Sequence, residues 1–356
     1  MDLTMAAQIF LEKQTADGTL PGAQFALVSD TGFKSGCIGN RQIIPSPKPV
    51  LPDTMYDLAS LSKVIVTTTL LLQWLENERL QLTTPVSSVL PDFPYPAISI
   101  GMLLTHTSGM AADDKRYKEC ADKDALYRFY TSLPLVYTPG TDLLYSDFGF
   151  ITLGIVLEKA SGLPLDVLAK KYIFTPLNMS HTMYCPKKYG AEEQCAATEW
   201  QPERGMIVGE VHDGKGYRMN GVSGHAGVFS TADDLAHFVS MLLHDGVENG
   251  RQILSADSMR LLRSYRTRGM KQCRTLGWIG EDPHTSMGNR YSAHCLYHTG
   301  FTGGSVYVDF DRRMGIILLT NAIHPNRANA CMQKLRPMFH NTILKTFDHE
   351  KSRFLM

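Results

Sequence analysis

Charge of one sign is what this chain lacks first. Its 35 Lys and Arg offset 35 Asp and Glu, so the formal net charge is zero. No long like-charge block stands out either. The electrostatic footprint of a nucleic-acid binder is therefore missing, and so is a basic face for a membrane surface. Long hydrophobic runs are also missing. The longest apolar stretch, Val64 to Leu75, contains three consecutive threonines and a glutamine. It is too short to span a bilayer and suits a buried helix. Met1 to Leu11 shows no basic segment followed by an apolar one, so no signal peptide is expected. Cysteine is scattered over Cys37, Cys120, Cys185, Cys195, Cys273, Cys295 and Cys331, an odd number with no C-x-x-C. Free thiols in a reducing cytoplasm are the expected state.

Several motifs are lacking as well. There is no H-E-x-x-H, and His294, Cys295 and His298, though close, overlap a predicted strand at Tyr297 to Thr299. A zinc hydrolase is not indicated. The absence of a Walker loop and of G-x-G-x-x-G argues against nucleotide use. No serine sits in G-x-S-x-G, the signature of an α/β-hydrolase. No metal or cofactor is expected.

What is present divides the chain into three parts. Met5 to Gln14 reads as an amphipathic helix. Gly22 to Ser29 and Gly32 to Gly39 read as strands joined by a turn at Asp30-Thr31-Gly32. Helical pattern begins at Ser60, runs to about Arg79, and recurs in pieces to about Lys170. Residues 171 to 222 are irregular. Thr231 to His244 reads as a helix capped by Ser230 or Thr231, with Asp233 and Asp234 in its first turn. Ser255 to Arg266 is another. Strands are expected at Arg274 to Ile279, Tyr297 to Thr299, Gly304 to Asp309 and Gly315 to Thr320, with a closing helix over Arg327 to Leu344. Strands at both ends around a helical middle predict one sheet built from both ends of the chain.

The sharpest local pattern is Ser60-Leu61-Ser62-Lys63, an S-x-x-K. On a helix, positions i and i+3 share a face, so the Ser60 hydroxyl and the Lys63 amine can meet. A serine is a weak nucleophile without a base beside it. A lysine can serve if burial and a helix N-terminus lower its pKa. Ser60 at a helix start also leaves backbone N–H groups free near a reacting carbonyl. The tetrapeptide alone is a weak signal, and its plain alternative is a solvated pair. Its flanks, Leu61 and Val64-Ile65-Val66, strengthen it, because a lysine embedded in apolar helix is usually paired or functional.

Two further elements follow in order: Tyr145-Ser146-Asp147, after Pro139-Gly140, and His298-Thr299-Gly300. With the S-x-x-K they resemble the three motifs of the serine β-lactamase and penicillin-binding protein family, class C branch. Leu104-Thr105-His106-Thr107-Ser108-Gly109, Gly224-His225-Ala226-Gly227 and Leu319-Thr320-Asn321 are similar to further signatures of that group. The resemblance runs from about Gly22 to Asn321. It implies an α/β (α+β) fold, with an antiparallel sheet from both chain ends, flanking helices and an inserted helical lobe. Residues 1–356 would form one catalytic domain, with a sheet lobe of 1–68 plus 225–356 and a helical lobe of 69–224. Ser60 would form an acyl-enzyme, with Tyr145 and Lys63 shuttling the proton. The backbone N–H groups of Ser60 and Phe301 would form the oxyanion hole. Asp147, His298, Thr299 and Gly300 would contact substrate.

The departures from that pattern matter. Asp147 stands where the family usually has Asn, and an ionised Asp near Lys63 would favour the ammonium form. The alternative is an Asp147 that points away and caps a turn. His298 stands where the family has Lys. An unperturbed imidazole is mostly neutral at pH 7, so selection for carboxylate-bearing substrates, β-lactams included, should be weaker. His106 and His225 are expected to shape their loops, Ser62 to be a polar helix residue, and His212, Asp213 and His324 to be minor candidates for substrate contact. The expected activity is acyl-enzyme hydrolysis of an ester or amide, as an esterase, a D-peptidase or a weak β-lactamase. The substrate would be a small molecule or peptide, cell-wall fragments included. Loops around His212-Asp213, Gly224 to Gly227 and Leu319 to Pro325 resemble those of muropeptide amidases. The rival from another class, a non-catalytic peptidoglycan- or penicillin-binding sensor, is disfavoured because Ser60, Lys63 and Tyr145 are all present.

Overall fold

The computed structural model describes residues 2–267 and 269–354. Six strands form one antiparallel sheet: β1 (Gly22–Ser29), β2 (Gly32–Gln42), β3 (Lys48–Pro49), β4 (Cys295–Thr299), β5 (Ser305–Asp309) and β6 (Met314–Thr320). Their order across the sheet is β4-β5-β6-β1-β2-β3. The two ends of the chain therefore meet at its centre, where Ala23 of β1 faces Thr320 of β6 and Ser29 faces Met314.

Strands β1, β4, β5 and β6 are buried almost throughout because both sheet faces are covered there, whereas β2 and β3 at the edge are polar and partly exposed. Side chains alternate across a strand. On β1, Ala23, Phe25 and Leu27 join a core built with α1 (Leu3–Ala16) and α5 (Met332–Phe354). Ala26 and Val28 point the other way, into the larger core shared with the helical lobe. Phe10 of α1 packs on Phe339 of α5 with ring centroids 5.6 Å apart. Phe25 is fully buried, and truncating it to Ala would cost roughly 3–5 kcal/mol. On the opposite face α4 (Ala232–Leu243) lies so close that a Cβ at Gly315 would meet Val239 at 2.2 Å. Thr231 caps α4, its side chain accepting from the Asp234 N–H at 3.1 Å.

The helix after Ser60 is not a plain α-helix. Its hydrogen bonds widen to a π pattern over Lys63–Thr68, then return to α in α2 (Thr69–Glu76). Thr67 donates to the carbonyl of Gly224 at 2.6 Å, and Thr69 donates back to Val64 at 3.1 Å. Hydroxyls that bond to backbone carbonyls compete with the regular ladder, and π turns favour functional sites. The helical lobe's longest helix, α3 (Asp147–Ser161), is capped by Ser146 and ends at Gly162 in a left-handed turn.

One predicted strand is absent. Arg274 to Ile279 forms a tight turn with isolated bridges, Arg274 to Ile279 and Ile279 to Tyr297. Gly277, at φ 77°, reverses the chain there. The closing helix starts later than expected, at Met332, and runs further. No single helix among the described residues is long and apolar enough to cross a membrane. One bent pair, Asp147–Ser161 with Leu165–Phe174, passes by length and composition, and most of α3 is buried in the core.

Candidate active site

Ser60 sits on a strained turn. Ala59 just before it has φ 46°, a region costly for any residue with a Cβ. Asp57 holds this turn. It is buried, and its carboxylate accepts from the Ala59 N–H at 2.8 Å and from the His212 N–H at 2.7 Å. Burial pushes the Asp57 carboxyl pKa up, and the two N–H bonds oppose that shift. Thr302 donates to the Asp57 carbonyl, tying the turn to the loop after β4. Gly300 completes the approach, because a Cβ there would meet the Leu58 carbonyl oxygen at 2.4 Å. Among the described residues, neither the Ser60 nor the Phe301 backbone N–H donates to a backbone acceptor. Both stay free on the two sides of this contact.

Lys63 is fully buried and bonds three acceptors: Ser60 Oγ at 2.9 Å, Asp147 Oδ1 at 2.8 Å and the His225 carbonyl at 3.1 Å. An ammonium has three donors and no acceptor, so the site is built for the charged form. Burial pulls the Lys63 pKa down, but Asp147 and Tyr145 outweigh it and the net shift is upward. The condition for a lysine base, a lowered pKa, is therefore not met, and the ammonium form expected beside an ionised Asp147 prevails. Asp147 is the reason. Although burial disfavours its charge, Lys63, His225 and Lys215 hold its carboxyl below the usual range. Asp147 points into the site and does not cap a turn, since Ser146 caps α3 instead.

The ion pairs continue outward. Lys215 Nζ lies 3.0 Å from Asp113, 3.1 Å from Asp147 Oδ2 and 3.8 Å from Asp213. Asp213 in turn meets His225 Nε2 at 2.7 Å, and His225 Nδ1 meets Ser223 at 2.8 Å. Asp147, Asp213 and His225 offer three donor atoms within 4.8 Å of one another. The ammonium groups of Lys63 and Lys215 already balance those carboxylates, so the cluster suits cationic side chains better than a metal ion.

Tyr145 stands beside Lys63, whose Nζ is 4.9 Å from the ring centroid. The Leu104 to Gly109 loop places it. His106, at φ 59°, accepts from the Ser146 N–H through Nδ1 at 3.1 Å and packs its ring 4.4 Å from Tyr145. His298 lies 6.3 Å from the same ring, near the end of β4. It is buried, with Nδ1 on the Thr299 carbonyl at 3.0 Å and Nε2 without a partner. Burial, then the cations of Arg274 and Lys63, hold the His298 pKa well below the ordinary value. The imidazole is neutral at physiological pH.

Ser60, Tyr145, Asp147, Lys215 and Phe301 open onto a cleft of about 980 Å³. Its far wall is tied together by ion pairs. Arg327 Nε lies 2.8 and 2.9 Å from the two oxygens of Glu199, and His212 Nε2 is 2.9 Å from the same carboxylate. Burial would raise the Glu199 pKa, but Arg327, Gln201 and His212 hold it well down. Phe301 stacks on His212 at 5.6 Å and 12°. Trp200 and Phe301 line the cleft with more than half of their surface exposed.

Ser60, Tyr145, Asp147 and Phe301 line the cleft; Lys63 is buried behind Ser60 and Asp147, His298 is buried beside Tyr145 with its Nδ1 on the Thr299 carbonyl, and Gly300 packs on the nucleophile turn. Ser62 is buried and accepts from the Val228 N–H, away from the cleft. His212 and Asp213 line the cleft. His324 does not contact it: the Ile43 N–H donates to Nε2 and Nδ1 bonds the Thr198 carbonyl. Sequence reasoning missed Asp57, Glu199, Lys215 and Arg274, and no motif marks any of them.

A serine hydroxyl bonded to a buried lysine, two free N–H groups beside it and a mixed sheet-and-helix frame define a serine hydrolase that works through an acyl-enzyme. The chain belongs to the β-lactamase family, whose family model, Beta-lactamase, matches residues 10–334. It is 31% identical to the N-acetylmuramyl-L-alanine amidase of Bacillus subtilis (strain 168), over 88% of this chain and 80% of that protein. It is 30% identical to an Escherichia coli (strain K12) protein provisionally named D-alanyl-D-alanine carboxypeptidase, over 79% of this chain and 72% of that one. The fold matches a penicillin-binding protein homolog from Caulobacter crescentus with a TM-score of 0.78, at 19% identity, covering 98% of both chains.

Proposed function

We propose that this hydrolase cleaves an amide bond in peptidoglycan-derived muropeptides, with Ser60 as nucleophile and Tyr145 as the group that moves its proton. The observation that carries the chemistry is the 2.9 Å contact between Ser60 Oγ and a Lys63 already saturated by Asp147 and a carbonyl. Such a lysine is a fixed cation, not a proton acceptor, which leaves the exchange to Tyr145 beside it. Ser60 Oγ gives its proton to the phenolate oxygen of Tyr145 and bonds to the substrate carbonyl carbon. The oxyanion forms on the Ser60 and Phe301 N–H groups. The C–N bond then breaks and the proton leaves with the amine. A water repeats the sequence, passing its proton through Tyr145 to Ser60 as the acid departs.

Three features favour this substrate class. The neutral His298 gives β4 no permanent cation for a free carboxylate beside the scissile bond, which suits an internal amide better than a penicillin or a C-terminal dipeptide. Exposed aromatics at a cleft mouth offer flat apolar faces to a sugar or an extended peptide. The likeness to a muramyl amidase covers most of both chains. Cys37, Cys120, Cys185, Cys195, Cys295 and Cys331 are free thiols, which supports a reducing compartment and a substrate already released from the wall.

The test is intact-mass labelling with a fluorophosphonate, on wild type and Ser60→Ala, followed by turnover of a muramyl peptide, a D-alanyl-D-alanine peptide and a p-nitrophenyl ester. One adduct on wild type alone, with the muramyl peptide preferred in kcat/KM, is the expected result. Folded wild type that takes no adduct would overturn the assignment of Ser60. A preference for the D-alanyl-D-alanine peptide would overturn the substrate class.

A further inference from the structure

Behind Tyr145 lies an arginine that no motif marks. Arg274 is 4% exposed, and its Nε and Nη1 meet no hydrogen-bond acceptor. A guanidinium with five donors is costly to bury in that state. Its Cζ instead lies 5.3 Å from the centroid of the Tyr145 ring. Burial lowers its pKa to about 10, which still leaves it charged at neutral pH.

The backbone around it is fixed with some force. Arg274 N–H donates to Thr267 Oγ1 at 2.9 Å, and its carbonyl accepts from the Thr267 N–H at 2.9 Å. The turn that follows is wedged between the site's other elements. Gly277 N–H donates to the Leu104 carbonyl, at the start of the His106 loop. A Cβ on Gly277 would meet Thr68 Oγ1, on the helix of Lys63, at 2.2 Å. Ile279 bridges to Tyr297, the neighbour of His298. Three of the elements that surround Tyr145 therefore clamp the Arg274 turn.

The charges facing Tyr145 show what the arginine can do there. Lys63 faces it from the helix, but that charge is matched by Asp147 at 2.8 Å. Lys215 is met in turn by Asp113 and Asp147. His106, from its loop, and His298, from β4, are both held neutral, by burial first and by nearby Arg274 second. Asp282 acts on Arg274 from a distance, while its own carboxylate accepts the N–H groups of Cys273 and His284. Among the described residues, Arg274 is thus the cation at the Tyr145 ring that no carboxylate contacts.

We propose that Arg274 is a positioning residue that balances the negative charge Tyr145 carries as proton acceptor, supplying the second cation that His298 cannot. This rests on the reading of Tyr145 in the proposed function. It explains how the chain keeps the Ser, Tyr and Thr-Gly elements of its family without the lysine of the third motif. The cation is retained and reaches Tyr145 from the adjacent turn.

The test is the pH dependence of kcat/KM on a p-nitrophenyl ester for Arg274→Gln, Arg274→Lys and Arg274→Gln combined with His298→Lys. For Arg274→Gln the expected result is a loss of about 100-fold at neutral pH, partly recovered as pH rises, because the acid limb moves alkaline. Arg274→Lys should return the limb toward wild type, and so should the His298→Lys combination, which restores a cation without restoring the arginine's packing. A uniform loss at every pH, with no rescue by either lysine, would overturn the proposal and leave Arg274 as packing alone. If Arg274→Gln does not fold, Arg274→Met takes its place and is read the same way: a limb moved alkaline supports the proposal, and a limb left at the wild-type position overturns it. Tyr145→Phe separates the two levels. If that variant keeps full activity, the reading of Tyr145 fails. If it is inactive while the Arg274→Gln limb stays in place, only the present inference fails.

Discussion

Lys63 and Lys215 share the carboxylate of Asp147, one ammonium 2.8 Å from Oδ1 and the other 3.1 Å from Oδ2. Neither lysine could be buried here alone, because a lone ammonium out of water loses several kcal/mol of hydration. The pair of oxygens lets one acidic residue accommodate both and links Ser60 to the Asp213–His225 wall.

Removing the outer lysine should therefore be felt at Ser60. Lys215→Met leaves Asp113, Asp147 and Asp213 facing one another. Stability should fall by about 2 kcal/mol, below the range for a fully buried pair because Asp113 is half exposed. Activity on an ester should fall about tenfold. Urea melts and steady-state rates check both, and unchanged values would make the outer pair decorative.

Asp147→Asn tests the inner pair. With the carboxylate gone, the Lys63 charge is no longer matched and favours an anionic Tyr145 more strongly. Lys63 also loses the main group holding its pKa up. Both limbs of the pH–rate profile should then move acidward, by roughly one unit. A profile that stays in place would show that the Asp147 charge plays no part in the reaction.

Gly300→Ala tests the close approach of β4 to the nucleophile turn. The new methyl must displace the Leu58 carbonyl, 2.4 Å away, and Phe301 moves with it. The oxyanion donors should lose their alignment, and kcat should drop by about 100-fold or more. If kcat holds while only stability falls, the donors lie elsewhere.

His340 predicts how stability responds to acid. It is buried on α5 between Ser305 and the Met287 carbonyl, and burial lowers its pKa to about 4. The unfolded chain binds this proton first, near pH ~6.5. The neutral form's contribution is thus complete above about pH 6.5 and is lost as pH falls toward about 4, to a total of roughly 3 kcal/mol. His340→Gln should flatten that part of the curve of unfolding free energy against pH. An identical slope would show that His340 does not carry it.

Much of this was readable because it is local. The β1–β2 hairpin follows from two strand patterns around Asp30-Thr31-Gly32, and the Thr231 cap from one hydroxyl before two acidic residues. Ser60, Tyr145 and His298 stand in short motifs whose order is informative. Other features depend on contacts between distant segments, which no local pattern records. Arg274 to Ile279 alternates like a strand, yet Gly277 must turn to clear Thr68. Lys215 resembles any surface lysine until Asp113 and Asp147 arrive from the helical lobe. The π turn at Lys63 depends on Thr67 finding the Gly224 carbonyl. Asp147, standing where the family usually has Asn, already pointed to a charged Lys63; the third acceptor, the His225 carbonyl, comes from a distant segment and was not legible.

The pairing of β1 with β6 also has a bearing on synthesis. Ser60 is made well before the sheet that positions it can close, because β6 follows its partner β1 by nearly 300 residues. Contacts so far apart in sequence form slowly. A chain still on the ribosome carries its serine and lysine without the β4 edge, without the second oxyanion donor and without Arg274. The hydrolase is thus kept inert during translation by its own topology, and it becomes active as a whole once the last strands have docked.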